Sequence, residues 1–163
     1  MMQDKLKINR KKRQKGFTFV EVIIVIGIVG IMLSIGFVSL RPAQDLAKLK
    51  AAQSEVAADI KQAQSNALQG KMTGGSVPKY YGVRFNADGK TYYLCYSNIL
   101  TSCNNIIYTQ KLKDGVASNA GGKMMMFDVP NGNYKSAALV ITFTLNTKTK
   151  TVTIGANGSI AQN

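Results

Sequence analysis

The sequence predicts an α+β protein in which a long N-terminal helix packs on an antiparallel β-sheet head. The first half of that helix is read as membrane-spanning and the second half as amphipathic. Three observations lead there. Residues 17–40 carry one charged side chain, Glu21. Residues 43–70 repeat apolar side chains at three- and four-residue steps, with no Pro or Gly before Gly70. Beyond residue 72 the pattern shortens to runs rich in Tyr, Val, Ile, Phe and Thr, separated by Gly and Asn turn signals. Four regions follow: a basic leader (1–16), an apolar helix (17–40), an amphipathic helix (41–71) and a β-rich head (72–163).

The leader holds Lys5, Lys7, Arg10, Lys11, Lys12, Arg13 and Lys15 against Asp4 alone, or +6 of the total +13. The other 147 residues hold 14 basic and 7 acidic groups, for +7. A basic block ahead of an apolar run holds that end in the cytoplasm and places the remainder outside. As a helix, residues 17–40 would reach roughly 36 Å, enough to cross a hydrocarbon core of about 30 Å. An ordinary membrane anchor satisfies these facts. A secretory signal peptide fits less well, because its apolar core is about 7–15 residues long. Glu21 separates the readings, since a carboxylate in lipid costs about 3 kcal/mol and marks a functional site by default.

Lys15-Gly16-Phe17-Thr18-Phe19-Val20-Glu21, followed by the uninterrupted apolar stretch, resembles the processing site of type IV prepilins and type II secretion pseudopilins. The resemblance implies cleavage between Gly16 and Phe17 by a prepilin peptidase and N-methylation at Phe17. The apolar helix would then serve as membrane anchor and later as filament core. It also implies that Glu21 meets the Phe17 amine of a neighbouring subunit, each charge being costly alone in apolar surroundings and attractive together. The implied partners are other pilin or pseudopilin subunits, the peptidase, the assembly platform and the membrane. Gly27, Gly30 and Gly36 fit either ordinary membrane-helix composition or close helix packing.

Arg41-Pro42 marks a bend or the exit from the membrane. Next, Leu46, Leu49, Val56, Ile60, Ala63 and Ala67 form a stripe interrupted by Gln53, with Lys48, Glu55, Asp59, Gln62 and Asn66 off it. The stripe reads as the seam against the head, and Gly70 as the helix stop. Strands are predicted at Lys79–Asn86, Thr91–Ser97, Asn105–Lys111, Lys123–Val129, Ala137–Leu145 and Thr149–Ala156. Asp88-Gly89 predicts a two-residue hairpin. Asn131-Gly132 and Asn157-Gly158 predict turns, the last leaving room for a short final strand.

The Asp45–Lys71 segment, ending Gln-Ser-Asn-Ala-Leu-Gln-Gly-Lys, adds a second resemblance. Together with the C-terminal Ile-Thr-Phe-Thr-Leu and Val-Thr-Ile-Gly pair, it is similar to minor pseudopilins of the GspH/FimT type. Some of that group bind DNA through arginines near the C-terminus; Ser159-Ile-Ala-Gln-Asn163 carries none.

Cys95 and Cys103 suit a disulfide outside the cytoplasm, worth roughly 2.5 kcal/mol by loop closure, or else two free thiols. Lys111 with Lys113, and Lys148 with Lys150, are the candidate nucleic-acid contacts, with nearby tyrosines available for stacking. The absence of His removes imidazole bases and histidine metal sites. Two Cys do not make a four-ligand zinc site, and no phosphate loop is present. The expectation is a non-enzymatic protein without cofactor: a minor pilin or pseudopilin matured at Gly16–Phe17. The alternatives are a filament-tip protein that binds DNA or a surface, and a single-pass anchored extracytoplasmic domain.

Overall fold

The computed structural model describes residues 16–113 and 115–163, with the side chains of residues 35–40 outside that description. The expected leader therefore lies outside the described residues, apart from Gly16. The chain forms two compact units, divided in sequence between Leu40 and Arg41.

One helix, α1 (Phe19–Leu68), contains Pro42. Proline offers no amide to the carbonyl four residues earlier and weakens a helix at that point. The tip of the hairpin between residues 145 and 148 braces the turn that follows. There the Lys148 Nζ donates to the Pro42 carbonyl at 2.5 Å, and the Asn146 Nδ2 donates to Asp45 Oδ2 at 2.8 Å. The helix ends as expected at Gly70, which adopts φ +57°. The amide of Gly70 bonds the Ala67 carbonyl and that of Lys71 bonds the Asn66 carbonyl, both at 3.1 Å. That pair of bonds is a Schellman cap, and its left-handed residue favours glycine.

The seam is largely the stripe read from the sequence. Leu49, Val56, Ile60, Ala63 and Ala67 are fully buried, and Gln53 is buried among them. Gln53 is satisfied there because its Nε2 donates to the carbonyls of Thr151 (2.7 Å) and Asn163 (3.0 Å). Two positions depart from expectation. Leu46 is 38% exposed, as the buried face begins only at Leu49, while Asn66 is buried beside Ala63 and Ala67. Ala52 and Ala57 widen the buried face, so it is broader than a single stripe.

The head contains β1 (Tyr80–Phe85), β2 (Thr91–Ser97), β3 (Asn105–Lys111), β4 (Ala117–Ser118), β5 (Met124–Asp128), β6 (Leu139–Leu145), β7 (Lys148–Ile154) and β8 (Ile160–Gln162). These make two antiparallel four-stranded sheets, ordered β3-β2-β1-β5 and β4-β6-β7-β8. Alternating core residues from both sheets, such as Tyr81, Val83 and Phe85 on β1 and Ile141 and Phe143 on β6, join the helix seam in one cluster.

Two connections differ from the sequence reading. Asp88-Gly89 is not a two-residue hairpin, because β1 and β2 are joined by residues 86–90. The Asp88 carboxylate accepts the amides of Lys90 (2.9 Å) and Thr91 (3.1 Å), and those bonds hold it below the usual carboxylate range. The tight hairpin is instead Asn146-Thr147 between β6 and β7, where Leu145 faces Lys148 and Asn146 takes φ +55°. Asn is one of the few non-glycine residues suited to that geometry.

Candidate assembly site at the helix start

Gly16, Phe17 and Thr18 precede α1 and are exposed, Phe17 by 83%. Thr18 is the N-cap: its Oγ1 accepts the Glu21 amide at 3.2 Å, and its carbonyl accepts the Val22 amide at 3.3 Å. Thr18-Phe19-Val20-Glu21 thus has the Thr-x-x-Glu form of a capping box. The sequence reading weighed Glu21 for assembly and missed this second role, although the spacing alone was signal enough. Glu21 stands in the first turn, where the helix dipole favours a negative charge. The exposed carboxylate lines a shallow groove with Phe17, Val22, Val25 and Ile26.

Every large apolar side chain from Phe19 to Leu33 is 45–80% exposed. Such a surface runs right round the helix instead of down one face, which is unlike a helix facing water. A Cβ built on Gly27 or Gly30 would meet nothing in this chain. Among the described residues no helix is long and apolar enough to cross a membrane. The apolar run of the sequence continues to Leu40, and residues 35–40 lack described side chains.

In the head, Cys95 and Cys103 form a disulfide with Cα atoms 5.7 Å apart, tying the β2–β3 loop to its own base. Asp59, read as lying off the apolar stripe, accepts the hydroxyls of Tyr92 (2.7 Å) and Tyr108 (2.8 Å). Burial, and then the Asp59 carboxylate, push both phenols well above their ordinary range. No sequence signal pairs residues 33 and 49 positions apart.

The four candidate lysines do not fall together. Lys111 and Lys113 line one cleft with Lys90, and Lys113 reaches Glu55 at 3.7 Å. Lys148 and Lys150 lie on β7, in the other sheet, with Lys148 engaged at Pro42. Pro42 and Glu55 are 13 residues apart on α1, roughly 20 Å along a helix axis. Among the described residues, no group of three or more His, Cys, Asp or Glu is placed to hold a metal ion.

Residues 11–37 match the family model described as the prokaryotic N-terminal methylation motif. No curated protein matches the chain. Among solved structures, the type IV minor pilin FimU of Pseudomonas aeruginosa strain PAO1 is similar at 15% identity and TM-score 0.55, covering 71% of this chain and 92% of that one. The minor pseudopilin EpsH from the type 2 secretion system of Vibrio cholerae is similar at 11% identity and TM-score 0.51, covering 71% and 96%. A second EpsH structure gives 12% identity and TM-score 0.50, covering 72% and 96%. At these identities the likeness concerns the fold, and the motif concerns the N-terminus. The chain thus carries that motif ahead of a fold similar to those of a minor pilin and a minor pseudopilin.

Proposed function

We propose that the chain is a non-enzymatic structural subunit of a type IV pilus or type II secretion-like filament, of the minor pilin or pseudopilin kind. The observation that carries this is the start of α1. A capped helix, with one carboxylate in its first turn, presents apolar side chains on every side and buries none of the large ones from Phe19 to Leu33. That surface requires lipid or the helices of other subunits. The proposal takes it from one to the other: membrane anchor before assembly, filament core after it.

Cleavage between Gly16 and Phe17 would create a new amine one residue before the N-cap. The basic leader would keep that bond on the cytoplasmic side, where a prepilin peptidase works, with the head outside. Glu21 would receive the Phe17 amine of an adjacent subunit, the groove beside it accommodating apolar side chains. Assembly through a platform protein follows as part of the same reading.

The test is Glu21→Ala. The variant is expected in the membrane fraction at normal level, with its incorporation into sheared filaments reduced at least tenfold. Normal incorporation would remove Glu21 from the mechanism.

A further inference from the structure

We infer that the free edge of β3 is a docking strand for an extended, acid-ended segment of another protein chain. The inference concerns the head alone and holds whatever the N-terminal helix does.

β3 is the outer strand of its sheet, with β2 on one side and no described strand on the other. All its residues except Tyr108 are exposed, among them Ile106 at 54% and Ile107 at 40%. The amide of Leu112 donates to the Lys90 carbonyl at 2.8 Å. By the alternation of an antiparallel ladder, Gln110 then bonds toward β2, while Thr109 and Lys111 turn their N–H and C=O groups off the sheet. An unpaired row of that kind is a template for strand addition, the mode in which backbone bonds supply affinity and side chains supply selectivity.

The two ends of the edge differ in chemistry. Near Asn105 it is aliphatic. At Lys111 it runs into the cleft lined by Lys90, Lys111 and Lys113, of which only Lys113 makes an ion pair among the described residues. Lysine on an edge strand discourages indiscriminate pairing, so the strand that docks here is one whose carboxylates reach this cleft. A second copy is the poorer occupant. Residues 41–163 carry 14 basic against 6 acidic side chains, +8, so two heads repel. The bulge between Leu94 and Cys95 interrupts the ladder toward Asn105, which leaves the regular edge at the lysine end.

The test uses the full chain in detergent micelles and two labelled peptides, Asp-Asp-Val-Thr-Val-Thr-Ile and Lys-Lys-Val-Thr-Val-Thr-Ile, read by fluorescence anisotropy. Antiparallel addition brings the N-terminal pair of either peptide to Lys111. The acidic peptide is expected to bind at least tenfold more tightly. Thr109→Pro, which deletes an outward N–H and spares the β2 ladder, is expected to weaken it tenfold or more. Lys111→Glu is expected to invert the preference, a gain that an unfolded variant would not show. Binding of neither peptide overturns the inference. So does acidic-peptide binding that Thr109→Pro leaves unchanged, which would mean a cleft for anions without strand addition. Self-association abolished by Thr109→Pro, without peptide binding, would assign the edge to a second copy instead.

Discussion

A single carboxylate, Asp59, gathers the hydroxyls of Tyr92 on β2 and Tyr108 on β3 against the helix. Removing it leaves the buried Tyr92 and half-buried Tyr108 phenols without their acceptor, and unmet polar groups of this kind cost about 1–3 kcal/mol. Asp59→Ala should therefore lower the stability of the head by that amount, read as a fall in the thermal midpoint. The tyrosines also set an alkaline limit. Both phenols are held above their ordinary range, burial first and Asp59 second. A phenol whose folded pKa is raised contributes stability that is intact below the unfolded value of about 10 and declines as pH rises beyond it. Unfolding monitored from pH 8 to 11.5 should show stability level to about pH 10 and falling above it. Tyr92→Phe should flatten that fall.

At the scale of elements, β1 is the strand the head is built around, paired on one side with β2 and on the other with β5. Gly82 sits at its middle, and a Cβ there would collide with the Met125 carbonyl oxygen and the Met126 sulfur. The backbone oxygen cannot swing aside as a flexible side chain can. Gly82→Ala should cost about 1–3 kcal/mol through overpacking, measured by denaturant unfolding of the oxidised chain.

The regular elements were legible because their periods are local. β2 and β3 fall on Thr91–Ser97 and Asn105–Lys111, as the alternation of Tyr, Ile and Thr implies. Ala117-Ser118 escaped notice as β4 because two residues have no period. The division into two sheets was equally hidden, since alternation tells which face a residue takes and not which strand lies beside it. Asn66 and Asp59 were read as off the seam for a related reason. Their partners lie in the head or one helical turn away, and only the packed structure shows how wide the buried face is. At the helix start the motif itself was plain, whereas the cap at Thr18 needed its spacing to Glu21 to be read as local structure as well as chemistry.

Across the whole molecule apolar surface is treated in two ways. Residues 41–163 bury a core of helix seam and two sheets, fastened by Cys95–Cys103. From Phe19 to Leu33 the chain instead leaves its apolar surface open. The total charge of +13 divides elsewhere, with +6 in residues 1–16 and +7 in the remainder. Removal of the leader would change a strongly basic precursor into a moderately basic subunit. The most direct test of processing and assembly through the helix start is therefore the intact mass of the chain isolated from membranes. An N-terminus at Phe17 carrying one additional methyl group is expected. A chain that retains Met1 or Met2 would contradict it.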